Sequence, residues 1–423
     1  MSKILRLGLF LYNIFLALYS AGIRVAALWN PKARLWVKGR RLQTVSTPPA
    51  GRPVVWMHCA SLGEFEQGRP LLEAVKKNYP QVYIILSFFS PSGYEIRKNY
   101  AGADQVLYLP MDNPIRSRQF IDTIQPSLVL WVKYEYWYHY LSALKRKNIP
   151  VLLVSGIFRQ DQPFFQWYGG FWKNILGSFE HLFVQTEASR QLLQNAGIMQ
   201  NITVSGDTRF DRVSDIAAQW QPLSEAVAKF CEGHQVIVAG STWEEDEEVL
   251  IHYARIHPHI RFIFAPHEVS RERIRDLKEE FPDGILFSEL NNRQLSTVIH
   301  SNVLIIDNIG MLSRLYHYAG IAYIGGGFNQ SGIHNILEAA VYGKPVVFGP
   351  VYEKFAEARQ LVELDGAFSI ENALELEALL DRLFAEESFL RKAGEISGSY
   401  VQQQCGATQT IMDYIQRKRL LTS

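Results

Sequence analysis

The sequence predicts an α/β protein with two doubly wound parallel-sheet domains facing a cleft. Short β-branched runs alternate with stretches of helical spacing, and this rhythm stops between Asp211 and Gly233 and then restarts. The 423 residues, of which 48% are hydrophobic, hold enough apolar material for more than one core. A third observation, an apolar N-terminal segment, adds a helix in front of the two domains.

The apolar segment runs from Ile4 to Leu28 with few polar interruptions. It is long enough to span a membrane or to lie in its interface, and too long for a signal peptide. A helix buried on the soluble body is the alternative. Basic residues follow it at Lys32, Arg34, Lys38, Arg40 and Arg41. The positive-inside bias therefore predicts that residues 1–30 form a membrane anchor and that the main body faces the cytoplasm.

The first series of strands predicts an N-terminal domain over residues 31–215. Patterns of helical spacing, such as Arg69–Asn78, lie between most of its strands. The predicted strands are Val54–His58, Val82–Phe88, Gln105–Leu109, Leu128–Val132, Val151–Ser155, Leu182–Val184 and Ile202–Val204.

The second series predicts a C-terminal domain over residues 216–396. Its strands are Gln235–Ala239, Arg261–Ala265, Val303–Ile306, Ile321–Ile324 and Pro345–Phe348. The stretch Ser397–Arg419 has helical spacing, and we expect residues 397–423 to form a helix that returns toward the first domain.

Charge and cysteine content limit the possible functions. The net charge of +1 gives no global field that would recruit nucleic acid, so partners must be recognised by a local patch or pocket. The three cysteines are far apart and form no CxxC pair, which argues against disulfides and thiolate metal sites. No histidine spacing matches a metal site, so we expect no metal.

A glycine turn at Gly325–Gly327 follows the strand Ile321–Ile324. Successive glycines let a backbone approach a ligand closely, and a following helix would aim N–H groups at a phosphate. Asn335 lies near the expected start of that helix, and Glu338 is placed one turn later to accept hydrogen bonds from a ribose diol. A nucleotide site and a purely structural turn both fit this pattern, which matches neither GxGxxG nor the P-loop.

Glu64 follows the first strand of the first domain. Ser61 and Glu64 have the spacing of a capping box, which is a structural interpretation. The functional interpretation makes Glu64 a general base, because the carboxyl edge of an open α/β sheet is where ligands bind. Glu135, among aromatic residues after Leu128–Val132, is a candidate for orienting a sugar.

Two further turns and one aromatic stretch also have both a structural and a functional interpretation. Ser241 follows Gln235–Ala239 in a glycine turn that either starts a helix or adds donors to a nucleotide pocket. Pro266 and His267 end the next strand of that domain. The aromatic stretch Phe164–Trp172 predicts either core packing or a lipid-facing patch.

These motifs together resemble the 3-deoxy-D-manno-octulosonic acid (Kdo) transferases of lipopolysaccharide synthesis, which are membrane-anchored glycosyltransferases of the GT-B fold. The resemblance covers nearly the whole chain in the same order. It is carried by the N-terminal anchor and by His58–Glu64, Ser90–Gly93, Tyr108–Asp112, Glu135–Trp137, Ser205–Asp211, Ala239–Thr242, Ala265–His267, Asp307–Gly310 and Gly325–Pro350.

The resemblance implies an inverting, metal-independent transfer of Kdo from CMP-Kdo to a lipid A precursor, with no other cofactor. The family's SxGE motif falls on Ser61, Gly63 and Glu64, which implies that Glu64 is the general base beside the acceptor. The implied donor-binding residues are Ser241, Pro266, His267, Gly310, Gly326, Asn335, Glu338 and Arg209, the last of which stands where the family has a lysine.

Departures from the family pattern concern the acceptor and carboxylate contacts. The family often has a glutamate at the position of Lys133, a glutamate at that of Met311, and Asn-Ala-Arg at Ser155–Ile157. The family also often has a basic residue between the positions of Pro266 and His267. We therefore expect Arg159 or Arg271 to supply a missing positive charge. Two alternatives remain open: another GT-B enzyme that uses a UDP-sugar, such as a transferase or 2-epimerase, and a non-catalytic membrane-tethered sugar-binding protein.

Overall fold

The structure, a computed structural model, describes residues 3–290 and 301–421. The chain divides into two compact units, one of Met1–Arg212 with Cys405–Ser423 and the other of Val213–Gln404. Each unit contains a parallel sheet of seven strands, so the predicted fold class of two doubly wound sheets is confirmed. Residues 1–2 of the predicted anchor and 422–423 of the predicted C-terminal helix lie outside the described residues.

The sheet of the first unit has the order β3-β2-β1-β4-β5-β6-β7. Because its strands are covered by helices on both faces, they are almost continuously apolar. The chain moves outward from β1 to β3 and then crosses to β4 on the other side of β1, which makes β1/β4 the switch point. The strands are β1 Val54–Cys59, β2 Tyr83–Phe88, β3 Gln105–Tyr108, β4 Leu128–Val132, β5 Val151–Gly156, β6 His181–Val184 and β7 Ile202–Val204.

Nine helices alternate with these strands in the described part of the first unit. Four of them, α2, α4, α5 and α8, begin with a side-chain cap, and the first three also have a proline in the first turn. The helices are α1 Lys3–Ala26, α2 Pro31–Leu42, α3 Leu62–Asn78, α4 Pro91–Arg97, α5 Pro114–Ile124, α6 Tyr138–Arg146, α7 Gly170–Leu176, α8 Glu187–Asn195 and α9 Thr208–Ala218.

The sheet of the second unit has the order β10-β11-β9-β8-β12-β13-β14, with its switch point at β8/β12. Two of its strands, β10 and β14, were not predicted because runs of two and three residues show no periodicity. The strands are β8 Val236–Thr242, β9 Arg261–Pro266, β10 Ile285–Leu286, β11 Val303–Ile305, β12 Ile321–Ile324, β13 Val346–Phe348 and β14 Ala367–Ser369.

The helices that follow α9 include several of a single turn. They are α10 Glu225–Cys231, α11 Glu244–Ile256, α12 Arg271–Glu280, α13 Phe287–Leu290, α14 Leu312–Leu315, α15 Leu337–Ala340, α16 Ala356–Glu363, α17 Ala373–Ala385, α18 Glu387–Gln404 and α19 Ala407–Arg417.

The C-terminal segment differs in detail from the single helix expected over 397–423. Helix α18 ends at Gln404, and α19 starts after Gly406, whose φ of 114° lies in the left-handed region. Both carboxylate oxygens of Asp211 accept backbone N–H bonds at this junction, from Gly406 and Thr408 at 2.6 Å. Helix α19 then buries Ile411 and Ile415 in the core of the first unit.

Helix α1 combines features of the interpretations considered for the N-terminal segment. Leu5–Ala26 is the one described helix long and apolar enough to cross a membrane. One face packs on the first unit, where Tyr12 and Leu16 are buried and the Tyr12 hydroxyl donates to Asp112 at 2.7 Å. The opposite face exposes apolar side chains, and Leu18 is 68% exposed. The helix therefore fits a membrane anchor that is also docked on the protein along one face.

The aromatic stretch after β5 also contains both buried and exposed side chains. Phe164 and Phe171 are buried in the core, whereas Trp167 is 94% exposed and Tyr168 is half exposed. Core packing and an exposed aromatic patch therefore both occur within one short segment.

Candidate active site

Glu64 and Glu135 lie at the switch point of the first sheet. Glu64 is in the first turn of α3, directly after β1, and Glu135 follows β4, which pairs with β1. The carboxyl ends of adjacent parallel strands at a switch point form the crevice where α/β proteins bind ligands. The two carboxylates that the sequence singles out in this unit are therefore brought to one place.

The start of α3 forms only half of the expected capping box. Ser61 is the N-cap residue with an extended backbone, but its side chain makes no capping hydrogen bond. The Glu64 carboxylate does accept a hydrogen bond from the backbone N–H of Ala60. Gly63 is exposed, and a Cβ built on it would meet nothing within 4 Å. The turn is thus open on the side of Gly63.

The environment of Glu64 raises its pKa to about 7. Burial is the largest cause, and repulsion by the negative charge of Glu135 is the second. The N–H of Ala60 and the positive charge of Lys133 act in the opposite direction and hold the increase back. A carboxyl group with a pKa near neutrality can accept a proton and release it again at physiological pH.

Glu135 is held by two ring nitrogens. One of its carboxylate oxygens lies 2.8 Å from His58 Nε2 and accepts from Trp137 Nε1 at 2.9 Å. His58 is fully buried, and its Nδ1 lies 2.9 Å from Ser87 Oγ. Because a carboxylate only accepts, this pairing fits a ring that carries its proton on Nε2. Sequence reasoning missed His58 and Ser87, since 77 residues separate His58 from Glu135.

The two candidate arginines of the first unit differ in their partners. Arg209 pairs with Asp207, with Nε 2.9 Å from the carboxylate. Asp207 also accepts from Gln185 at 3.0 Å, so the arginine is held in a polar cluster. Arg159 is exposed and interacts with the Tyr134 hydroxyl, two residues beyond the end of β4. Of the two, Arg159 is the one whose charge faces solvent.

The glycine turn lies at the switch point of the second sheet, where β8 and β12 pair. The backbones touch there, since a Cβ on Gly325 would lie 2.2 Å from the Ser241 carbonyl oxygen. Ser241 and Gly326 both have positive φ, 55° and 89°. Only glycine can occupy position 325 without displacing the neighbouring strand end. The turn that the sequence identifies is thus also a close packing of two strand ends.

A buried aspartate holds this junction together. Asp246, at the third position of α11, accepts from Gly326 N–H at 2.7 Å and from Trp243 N–H at 2.9 Å. The Tyr323 hydroxyl donates to its second oxygen at 3.1 Å. Burial raises the pKa of Asp246, and these three donors oppose that rise. Sequence reasoning treated the acidic start of this helix only as favourable to the helix dipole and did not identify this link.

The helix after the glycine turn is shorter than expected. It is α15, with only four residues, and the phosphate that its N–H groups would face stays a prediction. The reason for the short helix is local: Asn335 Oδ1 accepts the Leu337 N–H at 3.2 Å, and the chain turns again at Gly343, where φ is 66°. Asn335 also donates to Glu338 at 3.2 Å, which joins the two predicted donor-binding side chains.

Three aromatic rings stack beside the glycine turn. His267 lies between Trp243 and His334, with ring centroids 4.7 and 4.3 Å away. The His267 N–H donates to the Thr242 carbonyl at 2.9 Å, which fixes Pro266 and His267 next to the end of β8. Burial lowers the pKa of His334 to about 4, and the neighbouring His267 contributes. His334 was quoted in the sequence motif but was not predicted as a site residue.

Gly310 precedes α14 in a left-handed conformation, with φ of 98°. A Cβ there would meet nothing within 4 Å, so its glycine is required by the backbone conformation and not by close packing. Across residues 3–290 and 301–421, no group of three or more His, Cys, Asp or Glu side chains could hold a metal ion. The absence of a metal in the reaction stays a prediction.

Comparison with known proteins identifies the first unit. Residues 35–212, which contain Glu64, Glu135, Arg159 and Arg209, match the family model described as 3-deoxy-D-manno-octulosonic-acid transferase. This part of the chain is therefore similar to the Kdo transferases. The predicted resemblance is confirmed, and since Kdo transferases are glycosyltransferases, the chain is a glycosyltransferase.

Full-length relatives extend the match to the second unit. The chain is 26% identical over 360 residues to a Kdo transferase of Aquifex aeolicus, covering 82% of this chain and 92% of the relative. It is 27% identical over 353 residues to one of Rickettsia felis, covering 80% and 73%. A bifunctional glycosyltransferase/methyltransferase of Fusobacterium nucleatum is 27% identical over 350 residues, but the match spans only 53% of that protein and 79% of this chain.

Solved structures agree with the GT-B fold. The UDP-GlcNAc 2-epimerase of Neisseria meningitidis superposes with a TM-score of 0.60 at 15% identity, covering 86% of this chain and all of that one. Acinetobacter baumannii MurG gives 0.52 at 12% identity, covering 86% and 99%. At such identities the likeness concerns the fold alone, so the chemistry has to be argued from the residues of this chain.

Proposed function

We propose that this protein transfers Kdo from CMP-Kdo to a hydroxyl group of a lipid A precursor, with Glu64 as the general base. The observation that carries the proposal is the carboxyl group of Glu64, whose pKa is raised to about 7 at the switch point of the Kdo transferase domain. This pKa lies near the operating pH, where a general base is most effective.

The proposed step is a single displacement. Glu64 accepts the proton of the acceptor hydroxyl group while the oxygen of that hydroxyl group forms a bond to the anomeric carbon of Kdo. The bond from that carbon to the phosphate oxygen breaks, and CMP leaves with the electron pair. Attack opposite the leaving group inverts the anomeric configuration. No acid is needed at the leaving group, because a phosphate is already stable as an anion.

Binding of the donor is assigned to the second unit in this proposal. The backbone N–H groups around Gly326, the Ser241 turn and the turn at Gly310 are candidates for the phosphate. Asn335 and Glu338 are hydrogen-bonded to each other and are candidates for phosphate and ribose. Pro266 and His267 lie at the same edge. Arg209, which belongs to the first unit and pairs with Asp207, is a further candidate for an anionic group.

Binding of the acceptor is assigned to the first unit. Ser61 and Gly63 flank the base, Glu135 lies beside it, and Arg159 provides an exposed positive charge. The apolar face of α1 supports a location at the inner membrane, with the two sheets on the cytoplasmic side. A lipid acceptor would thus remain in the membrane while its sugar hydroxyl reaches Glu64.

The reaction is tested by mass analysis. Membranes that contain the full chain are incubated with CMP-Kdo and a lipid A precursor, and a product heavier by one or more Kdo units is expected. The absence of this mass increment would refute the proposal. The donor is tested separately: CMP should raise the unfolding temperature of the purified chain more than UDP at equal concentration. Greater protection by UDP would favour a UDP-sugar enzyme.

A further inference from the structure

A cavity of about 420 Å³ lies beside the N-terminal helix in the first unit. Its size is within the ~300–1,000 Å³ range of small-molecule sites. Four arginines line it, contributed by three helices: Arg24 from α1, Arg40 and Arg41 from α2, and Arg116 from α5. None of them belongs to the candidate active site, and the proposed reaction uses none of them.

In the described part of the chain, these arginines have no acidic partner within ion-pair distance, although Glu135 attracts Arg40 at longer range. Within residues 3–290 and 301–421, no carboxylate forms an ion pair with Arg24, Arg40, Arg41 or Arg116. By contrast, Arg97 and Arg212 of the same unit approach each other around a carboxylate, that of Glu66. Four positive charges around one cavity repel each other unless an anion enters, so the cavity is suited to an anionic ligand.

Arg40 is the fixed member of the group. Its guanidinium donates to the carbonyls of Phe89 at 2.6 Å and Leu109 at 2.8 Å, and lies 3.8 Å from the centre of the Trp36 ring. Burial lowers the pKa of Arg40 to about 9, which still leaves it protonated at neutral pH. The other three arginines are exposed and can turn toward a ligand. The cavity therefore has one rigid charge and three adaptable ones.

The remaining lining is apolar and adjoins the membrane-facing helix. Trp36, Val37, Pro110 and Met111 contribute carbon atoms to the wall. On α1, Ser20 and Arg24 face the cavity, while Leu18 and Val25 on the same stretch are more than half exposed. A ligand with an anionic head and an apolar tail fits this combination better than a free anion does.

We propose that this arginine pocket binds the phosphate monoester head of an anionic membrane lipid. A phosphate monoester presents three terminal oxygens, which suits several guanidinium groups converging from different helices. A phosphodiester head has fewer free oxygens and a lower charge. The pocket would hold α1 and α2 in the interface at a fixed depth, and the proposal rests on the membrane association included in the proposed function.

The test compares two kinds of vesicle with the full chain. Phosphatidylcholine vesicles carry either phosphatidic acid, a monoester, or phosphatidylglycerol, a diester, adjusted to equal surface potential. We expect the wild type to bind the monoester vesicles about tenfold more tightly. The variant Arg24→Gln/Arg41→Gln/Arg116→Gln should bind both kinds equally. Arg40 is left unchanged because its carbonyl contacts stabilise the fold.

The control removes three charges from the same helices outside the pocket. Lys32→Gln/Lys38→Gln/Arg118→Gln should weaken binding to both vesicles by the same factor, through general electrostatics, and keep the monoester preference. Loss of the preference in this control, or its persistence in the pocket variant, would overturn the proposal. So would a wild type without any preference.

Two further arms separate the possible explanations. If millimolar inorganic phosphate abolishes the monoester preference, the site belongs to a soluble phosphate and the lipid assignment is wrong; no effect supports the lipid. Glu64→Gln should keep the preference, because Glu64 does not line the pocket. Failure of the transfer reaction and failure of the lipid site are thus read from different measurements.

Discussion

Glu64 and Asp246 occupy equivalent positions in the two units. Each is the third residue of the helix that follows the first strand of its sheet, and each accepts a backbone hydrogen bond at the start of that helix. Each also lies at the switch point of its sheet. The same local capping chemistry therefore produces both carboxylates.

Their surroundings give them different properties. Asp246 is fully buried and receives hydrogen bonds from Trp243, Gly326 and Tyr323. Glu64 is partly exposed, interacts with the backbone of Ala60 and Ser61, and faces a second carboxylate, Glu135. A capping carboxylate surrounded by donors locks two strand ends together, whereas one placed beside another negative charge is poised to accept a proton. The comparison teaches that position in the fold does not determine the role of the residue; its neighbours do.

The largest expected effect is a loss of transfer activity when Glu64, the proposed base, is substituted. Glu64→Gln removes the base but keeps an amide oxygen that can accept the Ala60 N–H, so turnover should fall about 10²–10⁴-fold while the fold is retained. Turnover is measured as Kdo transferred per unit time, with circular dichroism as a check on folding. The matched control is Glu66→Gln, two residues away, whose partners are Arg97 and Arg212. Equal losses in both variants would contradict the assignment of Glu64.

The second effect concerns stability. Asp246→Asn keeps one oxygen that can accept from both Gly326 and Trp243, but it removes the negative charge that strengthens these hydrogen bonds and replaces the oxygen that accepts from Tyr323 by an NH₂. The free energy of unfolding should therefore fall by about 1–2 kcal/mol. Urea denaturation measures it. If Asp246→Asn leaves the denaturation midpoint unchanged, the junction is not held by this side chain and the contrast with Glu64 fails.

The sequence predicted which strand ends carry these sites but not which hydrogen bonds connect them. Apolar runs of four or more residues are visible in a single sequence, so β1, β4, β8 and β12 were all found. The link between Asp246 and Gly326 joins residues 80 apart and depends on β8 and β12 being neighbours. No local pattern reports such pairing.

The same limit explains the other differences at the sites. His58 has the pattern of an ordinary strand residue, and only the pairing of β1 with β4 brings it to Glu135. The single turn of α15 follows from side-chain capping by Asn335 that competes with a longer helix. The pairing of Arg209 with Asp207, two residues earlier, was not predicted either, because nothing in that spacing indicates that the side chain turns back.

The third effect is on the pH dependence of activity. Because Glu64 must be deprotonated to act, turnover should rise with pH through about 7. Glu135→Gln removes the repulsion that raises the pKa of Glu64, so the midpoint of this rise should move to lower pH, by about one unit or less. The pH–rate profile of both proteins checks it. A midpoint that does not move would show that Glu135 does not influence the base.

The same pKa gives a stability effect with a defined sign. The pKa of Glu64 is higher in the folded state, about 7, than its usual value of 4.5, so the folded state binds more protons between these pH values. Stability should therefore decline as pH rises through this window, and Glu64→Gln should remove that part of the decline. Urea denaturation at several pH values measures the difference. An unchanged pH dependence in Glu64→Gln would mean that another group is responsible.

The smallest expected effect tests whether the open side of the Glu64 turn is open for a substrate. Gly63→Ala introduces a Cβ that meets no protein atom, and alanine favours a helix over glycine by about 0.8–1.0 kcal/mol, so the variant should be slightly more stable. If the acceptor passes beside Gly63, its KM should rise several-fold despite this gain. Gly22→Ala on α1, equally open, is the control and should leave KM unchanged. Unchanged KM in Gly63→Ala would place the acceptor elsewhere. Gly63 and Gly325, where a Cβ would strike the Ser241 carbonyl, would then differ only in how tightly the protein packs around them.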